Sequence, residues 1–102
     1  MMNLKEQNYQ LQMKMEKLSV VIPMYNESVL IAQTVSALVR FCSGLSCEWE
    51  VIFSDDGSVD GCADTVMQAS KKEARIKLVR SEVNLGKGAA VRRGILASSG
   101  DT

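Results

Sequence analysis

Histidine is absent from the 102 residues, so the commonest general base and metal ligand of proteins is missing, and carboxylates and lysine are left for such roles. Cysteine is scarce. Cys42, Cys47 and Cys62 are odd in number and show no Cys-x-x-Cys spacing, which argues against a disulfide framework or a zinc site and fits a reducing compartment. Excess charge of either sign is also lacking: twelve basic residues meet twelve acidic ones, so a nucleic-acid footprint built on positive charge is not supported. No apolar run reaches the roughly 18 to 20 residues of a membrane span, and residues 1–17 are too polar for a signal peptide. The expectation is a soluble, cytoplasmic chain.

What is present is 46% hydrophobic content in one small domain, enough to bury roughly 60 to 70% of the surface that the unfolded chain exposes. Residues 3–17 are rich in helix formers, with Leu4, Leu11 and Met15 near one face, and read as a polar helical leader or frayed arm, too short for a coiled-coil seam. The domain proper spans 18–102.

Leu18 to Ile22 form an apolar, largely β-branched run that suits a strand buried on both faces, and Pro23, with no N–H to donate, should end its ladder. Glu27 or Ser28 can cap a helix to about Cys42, with Leu30, Thr34, Leu38 and Phe41 at helical spacing beside Ile31 and Val35. After Ser43-Gly44-Leu45-Ser46, Trp49 to Phe53 read as a second strand ending at Ser54-Asp55-Asp56-Gly57-Ser58. Ser58 or Asp60 can cap a second helix with Ala63, Val66, Met67, Ser70 and Ala74 on one face and Lys71-Lys72 near its end. Ile76 to Val79 make a third strand. Gly86-Lys87-Gly88 then opens a helix with Ala90, Val91, Ile95 and Ala97 inward, stopped by Ser99-Gly100-Asp101-Thr102 where a fourth strand is expected. This alternation implies an α/β fold with a parallel sheet covered by helices.

Parallel strands would bring three polar ends, Tyr25-Asn26-Glu27, Asp55-Asp56 and Asn84 to Gly88, to one edge of the sheet, where ligands of open α/β folds bind. Carboxylates and an amide can read base donors and ribose hydroxyls, an aromatic ring can stack on a base, and lysine with glycine-exposed amides can meet phosphate. Each piece also has a plainer reading. Asp55 to Ser58 suit a turn with an N-cap, Tyr25 a packing residue, Lys87 a solvated loop and Arg92-Arg93 an exposed helix face rather than a phosphate clamp. The glycine loop lacks the third glycine of the dinucleotide fingerprint, and Lys87 is followed by Gly88 where a P-loop has Ser or Thr. A nicotinamide enzyme and a P-loop nucleotidase are thus disfavoured.

Taken jointly and in order, Val21 to Glu27, Asp55 to Asp60 and Asn84 to Gly94 resemble the opening of a family-2 glycosyltransferase, and the third segment is most similar to dolichyl- or polyprenyl-phosphate mannosyl- and glucosyltransferases. The resemblance implies a Rossmann-like, three-layer, mostly parallel sheet with helices on both faces, the N-terminal part of a GT-A fold. It further implies a GDP- or UDP-sugar donor, a dolichyl or polyprenyl phosphate acceptor, and a full-length protein peripheral on the cytosolic membrane face. Carried over by position, Pro23, Tyr25 and Glu27 would line the nucleotide pocket, Asp56 would take base or ribose, Ser54 would offer a backbone contact, and Lys87 would lie near the diphosphate. Asp55 is a neighbour of that set. The family's Asp-x-Asp pair for Mg²⁺ or Mn²⁺ belongs to a later strand, and Asp101 is not it. No residue of these 102 is therefore assigned a catalytic or metal-binding role, no metal is expected to bind this chain alone, and no turnover is expected from it. The alternative class is a non-catalytic nucleotide-binding or self-associating module, since an unpaired strand edge favours a homo-oligomer.

Overall fold

The computed structural model describes residues 16–99. The expected leader helix thus lies outside the described residues, except Glu16 and Lys17, of which Lys17 opens the first strand; Asp101 lies outside them too.

Among the described residues three strands, β1 (Lys17–Met24), β2 (Glu48–Asp56) and β3 (Ile76–Ser81), alternate with three helices, α1 (Ile31–Ser43), α2 (Cys62–Lys72) and α3 (Lys87–Ala97). The sheet order is β1-β2-β3 and both pairings are parallel, running from Lys17↔Glu48 to Met24↔Asp55 and from Val51↔Ile76 to Asp56↔Ser81. The α/β expectation is met.

Side chains alternate across a strand, and that rule sorts the two faces. Trp49, Val51 and Phe53 of β2 join Ile31, Val35 and Cys42 of α1 and Cys62, Ala63 and Val66 of α2 in one core, with Leu18, Val20 and Ile22 of β1 packed against it. Glu50, Ile52, Ser54 and Asp56 face the other way, toward α3. There α3 comes so close that a Cβ on Gly94 would run into Val21 Cγ1, and its buried positions are only Ala90 and Gly94. The sheet is therefore covered on both sides, α1 and α2 on one and α3 on the other.

Several local expectations are corrected. The strand buried on both faces is β2, which is buried at every position after Glu48, whereas β1 is half-buried until Met24 because it is an outer strand among the described residues. For the same reason Pro23 does not end the ladder: on an outer strand alternate amides face away from the partner, and Pro23 pairs in register with Ser54. Neither Glu27 nor Ser28 caps α1, which starts after Leu30 without a side-chain cap; the Glu27 carbonyl instead accepts from the amides of Leu30 and Ile31. With that later start the buried stripe is Ile31, Val35 and Cys42 with Leu38 half-buried, leaving Leu30 and Phe41 exposed. In α2 the inward residues are Cys62, Ala63 and Val66, while Met67 is exposed and Ala74 lies past the helix end. In α3, Ile95 and Ala97 point outward. Small residues are needed where the helix meets the sheet.

Burial also pushes the thiols of Cys42 and Cys62 up, so both act as small apolar core residues. Val51, Ile52, Phe53 and Val66 are fully buried, each contributing roughly 1.5–3 kcal/mol, so β2 is the centre of stability.

A polar cluster lies on the α3 face of the sheet. Glu50, 1% exposed, accepts from Lys77 Nζ at 2.7 Å, from Ser19 Oγ, and from the amide and hydroxyl of Ser99. Burial alone would raise its carboxyl, but these four hydrogen bonds outweigh it and hold the group at about 2. The cluster fastens the chain leaving α3 to the start of the sheet.

Two outcomes follow for the fold. Replacing Gly94 with Ala should cost about 1–3 kcal/mol, read as a lowered denaturant midpoint, because the added methyl meets Val21. A carboxyl depressed on folding stabilises above its unfolded value and ceases to as the pH falls through its folded one. The contribution of Glu50 should thus be complete above pH 4.5 and vanish toward pH 2, so denaturant midpoints of Glu50→Gln should fall less steeply than wild type across that window.

Candidate functional site

Because all three strands run the same way, their carboxyl ends open on one edge, and the loops they feed enclose a cleft of about 320 Å³. Its walls are Pro23, Met24, Tyr25 and Glu27 after β1, Asp56 at the end of β2, and Asn84, Gly86, Lys87 and Ala90 around the start of α3. Sites for small molecules have roughly this size and upward. Of the residues chosen from sequence, Pro23, Tyr25, Glu27, Asp56 and Lys87 line it.

Ser54 stands back from the cleft. It is fully buried in β2, paired with Pro23 on one side and Val79 on the other, and its hydroxyl accepts from Arg93 Nη1 at 3.4 Å. Arg93 also donates to the Asp55 carbonyl at 3.4 Å, so it is half-buried rather than part of an exposed helix face; only Arg92 is exposed. Met24 and Ala90, which sequence reasoning passed over, form the apolar part of the wall. Their signal was available: Met24 sits between two chosen residues, and Ala90 lies three positions after Lys87, on the same side of a helix.

Asp55 and Asp56 part company at the end of β2. Asp55 is fully buried toward α2, where it accepts from the Ser58 amide at 3.1 Å and meets Arg80 Nε at 3.4 Å. Asp56 faces the cleft, and its two oxygens accept from the amides of Leu85, at 2.9 Å, and Gly86, at 2.8 Å. The second carboxylate thus holds the β3–α3 loop in place. Gly57 completes that seat, since it lies at φ 85° and a Cβ there would stand 2.8 Å from the Val83 carbonyl carbon.

The loop delivers a helix start to the cleft. Gly86, at φ 101°, precedes α3, which has no side-chain cap, and the first helical hydrogen bond runs from the Ala90 amide to the Gly86 carbonyl. The amides of Lys87, Gly88 and Ala89 therefore have no helical acceptor and, with the Lys87 ammonium, make an anion-attracting end. Opposite them stand the carboxylate of Glu27 and the ring of Tyr25, 45% exposed. One wall is cationic, the other acidic and aromatic.

A metal centre is not built by these groups. Among the described residues no three His, Cys, Asp or Glu side chains converge as a cation site, and the adjacent aspartates point to opposite faces of the sheet.

Comparison with known proteins places this geometry in context. The family model described as "Glycosyl transferase family 2" matches residues 19–102. The chain is 37% identical over 90 residues to a dolichyl-phosphate beta-glucosyltransferase of Dictyostelium discoideum, covering 81% of this chain and 28% of that protein. It is 36% identical over 87 residues to an undecaprenyl-phosphate 4-deoxy-4-formamido-L-arabinose transferase of Salmonella choleraesuis, covering 84% and 27%. The chain thus spans about a quarter of the length of the relatives it matches. Among solved structures, a mannosyltransferase from Pyrobaculum calidifontis in complex with GDP-Man and Mn²⁺ superposes with a TM-score of 0.75 at 22% identity, over 85% of this chain and 25% of that one. The shared fold is the GT-A type expected.

If Asp56 seats the loop as its two hydrogen bonds indicate, Asp56→Ala should speed amide hydrogen exchange at Leu85 and Gly86 by about tenfold or more, the loss of one or two bonds to a charged acceptor. Exchange in the core of β2 should stay slow.

Proposed function

This chain belongs to glycosyl transferase family 2, and from that premise we propose that its cleft receives the nucleotide part of a GDP- or UDP-sugar whose sugar is passed to a dolichyl or polyprenyl phosphate. The observation that carries the reading is the meeting of Tyr25 and Glu27 after β1, Asp56 at the end of β2 and Lys87 at the start of α3 around one cavity. The Tyr25 ring stacks on the base, Glu27 and Asp56 take base or ribose donors, and Lys87 with the free amides of α3 takes the diphosphate. Asp56 accepts the ligand through lone pairs beyond those used by Leu85 and Gly86, as a carboxylate has about four. Pro23 closes the wall, and Ser54 supports it from beneath.

Transfer is inverting: an acceptor phosphate oxygen bonds to the anomeric carbon as the bond to the nucleoside diphosphate breaks, and the diphosphate departs with the electron pair. Mg²⁺ or Mn²⁺, expected for the whole enzyme, finds no ligand set among the described residues. The part of the reaction supported here is donor binding. No helix among the described residues is long and apolar enough to cross a membrane, so attachment of the whole protein at the cytosolic face would be peripheral or made by other segments.

A second reading has one observation behind it. The outer edges of β1 and β3 have no strand partner among the described residues, which favours self-association of this chain. Light scattering across a concentration series decides that point.

Calorimetric titration of the 102-residue chain with GDP and UDP should give saturable binding to one of them. Lys87→Ala should weaken it by about tenfold and flatten its salt dependence, as expected for loss of a charge at a diphosphate. Unchanged affinity at all salt concentrations would remove Lys87 from the site. With Mn²⁺, the matching nucleotide sugar and polyprenyl phosphate, the chain alone should show no transfer.

A further inference from the structure

Past Met24 the strand ladder ends, yet Tyr25 and Glu27 must stand at defined places on the cleft wall. The residue between them is turned the other way. Asn26 sits at φ 50°, a left-handed conformation that asparagine enters more readily than most residues, and its polar groups reach the neighbouring loop. Its backbone N–H donates to Ser58 Oγ at 2.9 Å, and its side-chain Oδ1 accepts from the Val59 amide at 3.0 Å.

Two residues on, the Ser28 amide donates to Asp60 Oδ2 at 2.9 Å, while Asp60 Oδ1 accepts from the Cys62 amide at 3.1 Å. One carboxylate therefore joins the β1–α1 loop to the first turn of α2. Partial loss of hydration would push this carboxyl up, but the hydrogen bonds from Ser28 and Cys62 outweigh it and hold it at about 2, so it is ionised at neutral pH. Ser58 is itself anchored, its amide on the buried Asp55. The bonds run unbroken from the core of β2 to the loop that carries the cleft wall.

We propose that Asn26 and Asp60 are positioning residues of the nucleotide pocket, a clamp between the β1–α1 and β2–α2 loops that sets where Tyr25 and Glu27 stand relative to Asp56. The clamp touches no ligand and acts through those three side chains; its role in affinity rests on the donor-pocket reading above. It lowers the ordering cost of binding, because the wall is held before the nucleotide arrives.

Four variants of the 102-residue chain test this. Asn26→Gly keeps the left-handed backbone and deletes the Oδ1 acceptor, Asn26→Asp keeps an acceptor, Asp60→Ala deletes both carboxylate bonds, and Val29→Ala, at an 88% exposed position of the same loop, is the control. Affinity for GDP or UDP should fall about tenfold in Asn26→Gly and Asp60→Ala, be restored in Asn26→Asp, and stay unchanged in Val29→Ala. In the ligand-free chain the nuclear magnetic resonances of the Tyr25 ring and the Glu27 amide should shift in the first two variants while β2 amides keep their protection. Should those resonances stay in place in both variants, or nucleotide affinity match wild type in both, the clamp is refuted. Should wild type bind neither nucleotide, the donor-pocket reading fails by itself, and the ligand-free resonances alone decide whether the clamp sets the wall.

Discussion

Neighbouring residues of an extended strand face opposite ways, and at the end of β2 that constraint governs the molecule. Asp55 and Asp56 are both buried, but the pleat sends one toward α2 and the other toward the cleft. Asp55 then anchors Ser58, on which Asn26 rests, while Asp56 anchors the amides of Leu85 and Gly86 just before α3. Both loops beside the cleft are thus fastened to consecutive residues of the most buried strand. A register slip of one residue would exchange the two roles and undo both attachments.

The side on which each helix packs decides where the cleft can form. The first two crossovers add strands in the order β1-β2-β3 with α1 and α2 on one face, whereas α3 lies on the opposite face against β1 and β2. Ligands in open α/β sheets bind beyond the carboxyl ends of the strands. The cleft at the end of β1 is in that place. The close seat of α3, which requires Gly94 against Val21, brings its uncapped start beside Tyr25 and Glu27.

Some of this was legible in the chain and some was not, for reasons that differ by residue. The strand and helix order could be read because apolar runs and helical spacing are local. The inward face of α1 was misjudged because Leu30 and Phe41 are as apolar as Ile31 and Val35, and only the later helix start rotates the stripe. Ile95 was expected inward on hydrophobicity, yet the approach of α3 to β1 leaves room for Gly94 and not for a branched side chain. Ser54 was named for a backbone contact that the resemblance implies, and no sequence pattern showed that its hydroxyl is buried against Arg93 in a strand paired on both sides. Arg80, which meets the buried Asp55, gave no signal at all, since its partner lies in another strand.

The sequence by itself determined the α/β alternation and the polar strand ends, because both are written in residues close along the chain. It also marked most of the cleft lining for the same reason, each polar group following directly on an apolar run. The resemblance already favoured Asp56 over Asp55, but only the tertiary structure decided which loop each aspartate holds and how Asn26 and Asp60 lock the wall. Those outcomes depend on pairing register and helix approach, distances between residues some thirty positions apart that no local pattern encodes.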